Sequence, residues 1–204
     1  MAFSAVLLAG GVSRRMGRDK ATLDFHGDPL WQRQLETLRR LAPDELFVSA
    51  RTRPAWLAAD MKLVLDGTSS RGPMSGVAAA LVQTRTPHLL VLAVDMPLMT
   101  GMHLSYLLSF VSSECGVLPL IDQRAEPLAA IYPSAALPFF TAALSSGNFA
   151  MQPLVAKLIA DGRMRTIDVP DHDRAFYVNL NRPEDVRKRW IVRAQEDSNL
   201  RPSD

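Results

Sequence analysis

An α/β fold with a mostly parallel sheet is predicted for this chain by three features of its sequence. Short β-branched and leucine-rich runs alternate with longer segments of helical period. A glycine pair, Gly10-Gly11, follows the first of these runs directly. A carboxylate, Asp95, follows the most hydrophobic run, at the carboxyl end of a strand where open α/β sheets bind ligands.

In chain order, Ser4–Ala9 reads as the first strand, an apolar run stopped by glycine. Pro29–Leu41 follows as a helix, with proline at its start and apolar residues spaced by three and four. Glu45–Ser49 is the second strand, Ala55–Ala59 a short helix and Lys62–Leu65 the third strand. Ser75–Thr84 has helical spacing behind a serine, and Leu89–Val94 is an unbroken apolar strand. Met102–Val111 is the next helix, followed by strands at Gly116–Pro119 and Leu128–Tyr132. Helices at Ala135–Ser145 and Met151–Ala160 precede a last strand at Arg165–Val169. No repeat, low-complexity tract or linker interrupts this series, so residues 1–190 are expected to form one domain. After Arg187 charged residues crowd a segment ending in Ser, Asn and Pro, which predicts a final helix fraying into a flexible tail at 191–204.

The 204 residues carry 23 Lys plus Arg against 21 Asp plus Glu and are 48% hydrophobic, the balance of an ordinary soluble globular protein. A chain of this length buries about 70% of the surface its unfolded form exposes, enough to hold a core without a disulfide or structural metal. The single cysteine, Cys115, cannot form an internal bridge, and no Cys/His cluster has zinc spacing. The longest purely apolar stretch, Leu89–Val94, is far short of the roughly 20 residues that cross a bilayer. Phe3–Ala9 is too short for a signal peptide and has no basic flank before it. A cytoplasmic protein is expected, with neither membrane nor nucleic acid as a partner, since the net charge is only +2 and no aromatic stripe offers a base-stacking platform.

Charge is local rather than global. Arg14, Arg15, Arg18 and Lys20 place four cations within seven residues just after Gly10-Gly11. Glycines after a strand let the backbone approach a ligand and aim N–H groups at phosphate oxygens, and Arg14, Arg15 and Lys20 supply charge to a triphosphate. The spacing is neither that of a dinucleotide fingerprint nor of a Walker A loop, because Met16 stands where the second glycine would be required. A glycine turn followed by a solvated basic loop is the lesser alternative reading of these residues. Asp95, in Asp95-Met96-Pro97, is a hard oxygen donor suited to Mg²⁺ beside a triphosphate. It also reads as a cap for the following helix, with Pro97 and Thr100 nearby.

These residues resemble a known family. Leu8-Ala9-Gly10-Gly11, Ser13-Arg14-Arg15-Met16-Gly17 and Asp19-Lys20 resemble the signature loop of molybdenum cofactor guanylyltransferases. Gly27-Asp28-Pro29-Leu30 resembles that family's Gly-x-Pro-Leu turn, Asp66 with Arg71-Gly72-Pro73-Met74-Ser75-Gly76 its Asp and Gly-Pro-Leu-x-Gly loop, and Asp95-Met96-Pro97 its metal motif. Glu126-Pro127-Leu128-Ala129-Ala130-Ile131-Tyr132 and Asn179-Leu180-Asn181-Arg182-Pro183-Glu184-Asp185 match in the same order, so six motifs cover residues 4 to about 187.

The resemblance implies a Rossmann-like three-layer α/β/α sandwich of the nucleotide-diphospho-sugar transferase type. It implies transfer of GMP from MgGTP to the terminal phosphate of molybdopterin, the organic part of the molybdenum cofactor, with release of pyrophosphate. GTP and molybdopterin are then the substrates and Mg²⁺ the cofactor, and cofactor-insertion chaperones or molybdoenzymes are expected as further partners. Carried onto this chain, Leu8, Ala9, Gly10 and Gly11 contact the nucleotide, Lys20 its phosphates, Asp66 the nucleoside end and Asp95 the metal. Lys20, Arg14 and Asp95 are the candidate catalytic residues. Asn179 is the pocket candidate in the last motif, whereas Asn181, before Arg182-Pro183-Glu184, reads as a helix N-cap.

Departures from the family pattern carry information too. Relatives that use CTP resemble this pattern but read Leu-Ala-Ala-Gly, so Gly10 lacks a methyl and leaves room for a purine edge. Ser49-Ala50-Arg51 replaces an asparagine-bearing segment, Ala129 stands where relatives often have Phe, and Met74 replaces a usual Leu. Arg71 reads either as a phosphate contact or as solvated loop charge. His26 is placed in a turn, His88 in a loop, His103 on a helix and His172 among acids, none with metal-ligand spacing. Met96, Met99 and Met102 are expected to pack under the Asp95 loop. The rival readings are transfer of a cytidylyl group to molybdopterin or of a nucleotidyl group to a sugar phosphate, and a nucleotide-binding module without transferase activity.

Overall fold

The computed structural model describes residues 1–10, 19–66 and 72–180. In chain order its elements are β1 (Ser4–Leu8), the short strands β2 (Asp24–Phe25) and β3 (Asp28–Pro29), α1 (Leu30–Arg39), β4 (Glu45–Ala50), β5 (Lys62–Leu65), α2 (Pro73–Gln83), β6 (His88–Ala93), α3 (Gly101–Leu108), β7 (Gly116–Ile121), β8 (Arg124–Ala125), β9 (Ala129–Pro133), α4 (Leu137–Ser145), α5 (Met151–Ala160) and β10 (Met164–Asp168). A 3₁₀ segment, Asp171–Tyr177, follows. The predicted final helix and the tail at 191–204 lie outside the described residues.

One sheet runs in the order β5-β4-β1-β6-β9-β7-β10, with β8 paired to β7. β1 pairs in parallel with β4 on one side (Ser4 opposite Glu45, Leu8 opposite Ser49) and with β6 on the other (Ser4 opposite Leu89, Leu8 opposite Ala93). The sheet is mostly parallel, as the alternating pattern predicts. The exceptions are β9, antiparallel to both β6 and β7, and the two-residue β8, antiparallel to β7. The connection explains both. β7 turns through Asp122 and Gln123, both at positive φ, into β8, and the chain reaches β9 without the helix that a parallel return requires.

Alternate residues of each central strand feed two cores. Ala5 and Leu7 of β1 and Leu90 and Leu92 of β6 pack with Leu35 and Leu38 of α1 and Leu104 and Leu107 of α3. Val6, Leu8, Leu89 and Val91 face the other way, against Met74, Val77 and Leu81 of α2, Phe140 of α4 and Leu158 of α5. Helices therefore cover both faces in a three-layer α/β/α sandwich, which is why the central strands read as continuous apolar runs instead of alternating ones.

Several expectations are corrected. Ala55–Ala59 forms turns, with Leu57 N–H bonded to the Pro54 carbonyl and Met61 N–H to that of Ala58; five residues cannot repay helix nucleation. His88 is not in a loop but opens β6 and is buried, because the ladder opposite Pro133 starts there. Met102 does not pack under the Asp95 loop: it is 81% exposed on the outer side of α3, whereas Met96 and Met99 are buried as expected. The predicted Gly27 turn is a tight β2–β3 connection with His26 and Gly27 both at positive φ.

The amino edge of the sheet is tied by one buried carboxylate. Glu45 accepts from Ser4 Oγ at 3.0 Å, the Arg85 N–H at 2.9 Å and Lys62 Nζ at 3.1 Å. Burial alone would raise its pKa, but these donors outweigh burial and hold it below the ordinary glutamate range. The Lys62 side chain is 56% exposed, so solvent screens that partner and the two other donors matter more. Glu45→Gln is expected to cost about 1–3 kcal/mol of stability at neutral pH, measured by urea unfolding. The folded-state pKa is the depressed one, so the stabilisation is complete above the unfolded-state pKa and is lost as pH falls through the folded one. The gap between wild type and variant should therefore narrow below about pH 5.

Candidate active site

Hydrogen bonds carry the sheet ladder one residue past the carboxyl ends of its central strands. Ala9 N–H bonds to Ser49 O at 2.8 Å, Val94 N–H to Leu8 O at 3.1 Å, Ala93 N–H to Leu128 O at 2.8 Å and Asp66 N–H to Ala50 O at 3.2 Å. Gly10, Ser49, Asp66 and Asp95, which come from four separate stretches of chain, thereby reach one edge. They line a cavity of about 440 Å³ together with Leu8, Lys20, Arg51, Gly72, Pro73, Gly76 and Leu128. That volume is within the range of small-molecule sites.

Lys20 enters this cavity from a single 3₁₀ turn, Lys20–Thr22. Asp19 fixes the turn by accepting from Ala21 N–H at 3.0 Å, and its other oxygen lies 3.5 Å from the Trp56 indole N–H, which stacks on Trp31 with ring centroids 4.8 Å apart. Lys20 Nζ donates to Asp95 Oδ2 at 3.1 Å, with the two side chains 17% and 21% exposed. Desolvation of both part-buried charges offsets much of their attraction, so the pair is weak evidence for stability. Its consequence is placement: a primary ammonium and a carboxylate are held side by side at the mouth of the sheet.

Asp95 does not cap α3. Thr100 does, accepting from His103 N–H at 3.2 Å. The Asp95 loop is instead gripped from below: Gln34 Nε2 donates to Met96 O, Arg33 Nε to Pro97 O at 2.9 Å and Leu180 N–H to Asp95 O at 2.8 Å. Neither Gln34 nor Arg33 was singled out from the sequence. The signal was there for Gln34, a polar residue on the apolar stripe made by Leu30, Leu35 and Leu38, and it is fully buried.

Opposite Lys20, α2 begins at the cavity wall. Gly72, its N-cap, sits at φ 123°, a conformation that side chains rarely adopt, and Pro73 occupies the first turn. Gly72 supplies no capping side chain, so the first-turn N–H groups of this helix, with the positive end of its dipole, suit an anion. Close approach of α2 to β4 depends on Gly76, where a Cβ would lie 2.5 Å from Ser49 Oγ and 3.2 Å from Leu8 Cδ2.

The structure thus brings Leu8, Gly10, Lys20, Asp66 and Asp95 to one cavity. Ala9 is buried beside it, with its N–H used in the ladder. Asn179 does not share this cavity. It lines a second one of about 450 Å³ with Met96, Arg124, Glu126, Leu128 and Gln152, and Leu128 belongs to both walls. Burial raises the Glu126 carboxyl above its ordinary range, with Arg124 offsetting part of the shift. Tyr132 OH donates to Pro127 O at 2.8 Å and fixes the backbone under this wall. Gly11, Arg14, Arg15, Arg18, Arg71 and Asn181 lie outside the described residues.

Residues 5–161 match the model of the MobA-like NTP transferase domain. The chain belongs to this family. Similarity extends beyond the matched region: a probable molybdenum cofactor guanylyltransferase of Opitutus terrae is 36% identical over 187 residues, covering 90% of this chain and 93% of that protein. A molybdenum cofactor guanylyltransferase of Pseudomonas fluorescens is 32% identical over 185 residues, covering 89% and 90%. The crystal structure of molybdopterin-guanine dinucleotide biosynthesis protein A from Archaeoglobus fulgidus superimposes with a TM-score of 0.71 at 21% identity, covering 94% of this chain and 99% of that one. A 2-C-methyl-D-erythritol 4-phosphate cytidylyltransferase from Thermus thermophilus shares the fold at a TM-score of 0.65 and 17% identity, over 90% and 95%.

As a MobA-like NTP transferase the protein is a nucleotidyltransferase, and its site has the parts that phosphate chemistry asks of the protein: a cation, a helix amino end and a carboxylate on rigid elements. Gly76→Ala is expected to push α2 off Ser49, costing about 1–3 kcal/mol in a thermal or urea melt and weakening nucleotide binding. Adding Ser49→Ala, which removes the hydroxyl that the new methyl meets, should recover part of both losses.

Proposed function

We propose that this nucleotidyltransferase transfers GMP from MgGTP to the terminal phosphate of molybdopterin and releases pyrophosphate. The observation that carries the reading is the Lys20–Asp95 pair at 3.1 Å in the wall of the first cavity, whose Leu128 also lines the second. The names of the relatives at 36% and 32% identity agree with it.

In the transfer, an oxygen of the acceptor phosphate forms a bond to the α-phosphorus of GTP, and the bond from that phosphorus to the bridging oxygen of the β-phosphate breaks. The electron pair leaves with pyrophosphate. The attacking phosphate is already an anion, so no general base is needed, and the protein's work is to align two anions and neutralise charge. Lys20 is placed for the triphosphate and the α2 amino end for a second anionic group. Gly10 and Asp66 stand at the nucleoside side, and Asn179, Arg124 and Gln152 line the acceptor side.

Asp95 fits Mg²⁺ by donor chemistry. It offers one hard carboxylate beside a phosphate site, the manner in which Mg²⁺ is held by one or two carboxylates together with substrate phosphates. Among the described residues no group of three His, Cys, Asp or Glu forms a ligand cage, consistent with an ion that arrives with the nucleotide. Bound there, Mg²⁺ would supply charge neutralisation and orientation to the triphosphate. In the transfer Lys20 would donate to phosphate and Asp95 would hold the cation.

Guanine preference rests on Gly10. A Cβ at this position would lie 3.0 Å from Asp66 Oδ2 and 3.5 Å from Ala50 Cα, so even one methyl presses on a residue of the nucleoside side. Gly10→Ala is expected to lower kcat/KM for GTP about tenfold or more relative to CTP, the size of a one-methyl discrimination.

Pyrophosphate release assayed with each of the four NTPs, with and without molybdopterin, tests the reading. Release with GTP alone among them, and only when molybdopterin is present, is expected; release without the pterin, or with CTP preferred, contradicts it. Lys20→Ala or Asp95→Ala should lower turnover by roughly a hundredfold or more while circular dichroism and Tm remain those of a folded protein.

A further inference from the structure

A buried polar cluster lies behind the acceptor side and takes no part in the chemistry above. His103 of α3 is 6% exposed, and its Nε2 is 2.7 Å from the hydroxyl of Tyr177, which is 3% exposed. Its Nδ1 lies 3.6 Å from Asp173 Oδ2. The rings of Phe176 and Tyr106 pack on the imidazole at 4.9 and 6.0 Å between centroids. Burial pulls the imidazole below its ordinary range, with Asp173 offsetting part of the shift, and burial pushes the phenol up, helped by Asp173 and Glu126. Both shifts favour the neutral forms. In a neutral imidazole one nitrogen carries the proton, and the carboxylate facing Nδ1 selects that one. Nε2 is left to accept from the Tyr177 hydroxyl.

What this bond holds is the strand-like exit from the 3₁₀ segment. Two residues after Tyr177, Asn179 lines the second cavity, and one residue later Leu180 donates its N–H to the Asp95 carbonyl at 2.8 Å with its side chain fully buried. A polar bond inside an otherwise apolar contact is costly to leave half-made, so it specifies one seating of the segment against α3.

We propose that His103 and Tyr177 are a pair of positioning residues that seat residues 177–180 as a wall shared by the acceptor cavity and the Asp95 loop, setting acceptor affinity without touching either substrate. The proposal rests on the reading of the second cavity as the acceptor side.

Tyr177→Phe removes the hydroxyl and keeps the ring. In the full-length enzyme it should raise KM for molybdopterin about five- to tenfold, the worth of one hydrogen bond, with KM for GTP within about twofold of wild type because Gln34 and Arg33 still hold the Asp95 loop. Amide hydrogen exchange should show Leu180 N–H exchanging about tenfold faster while Val91 N–H of β6 is unchanged. His103→Gln, whose side-chain oxygen can accept from Tyr177, should stay near wild type, and His103→Leu should copy Tyr177→Phe. The proposal is overturned if Leu180 exchange and KM for molybdopterin do not move, if KM for GTP rises equally, or if Val91 exchange accelerates alongside Leu180. Should wild type fail to transfer to molybdopterin at all, the functional reading falls, while the exchange of Leu180 still decides whether the pair seats the segment.

Discussion

Between β5 and β6 the chain reverses the direction in which it adds strands, and the site depends on that reversal. β4 and β5 extend the sheet from one side of β1, and β6 then returns to pair with the other side, Leu8 opposite both Ser49 and Ala93. Three adjacent parallel strands end together, and the loops leaving them diverge to leave a crevice. Lys20 follows β1 and Asp95 follows β6, 75 residues apart in sequence, and their side chains meet at 3.1 Å because those two strands are neighbours. A connection that placed β6 elsewhere in the sheet would separate the ammonium from the carboxylate.

Stability and chemistry occupy opposite edges of this sheet. At the amino edge Glu45 gathers Ser4, Arg85 and Lys62, tying β1, β4, β5 and the entry to β6 with a paired charge. At the carboxyl edge the features that suit a ligand are individually unhelpful to folding: an α2 amino end whose N-cap is glycine, that glycine at φ 123°, and a part-buried ion pair with its desolvation cost. They persist because the two cores on either side of the sheet hold the strands that carry them. Gln34 and Arg33 extend that support by anchoring the Asp95 loop to α1.

Much of this was legible in the sequence, and what was not has a physical cause. Apolar runs mark the strands, unbroken where both faces are buried as in β1 and β6 and shorter in the half-exposed edge strand β5, so β1, β4, β5 and β6 lie within a residue of their predicted positions. Gly10, Asp66 and Asp95 stand out because each closely follows a strand, and Lys20 because it closes a run of cations after the first one. The direction of β9 was invisible, since an apolar run has no polarity until the length and chemistry of its connection are weighed. Ala55–Ala59 has helical spacing but too few residues to nucleate, and Met102 has a core residue's composition on an exposed face. The partnerships of Gln34 with Met96 and of His103 with Tyr177 span 62 and 74 residues, and no local pattern encodes a contact of that range. Asn179 was marked as a pocket residue, but its cavity is the neighbour of the one it was grouped with.

In the proposed transfer, Asp95 and Lys20 exchange each other for a cation and a triphosphate. Equilibrium binding of GTP to the wild type and to Asp95→Asn, each with and without Mg²⁺, tests it most directly. Mg²⁺ should tighten GTP binding to the wild type at least roughly tenfold and have little effect on the variant, since a carboxamide keeps the shape but loses the charge that draws the cation. Equal enhancement by Mg²⁺ in both proteins would contradict the assignment of Asp95.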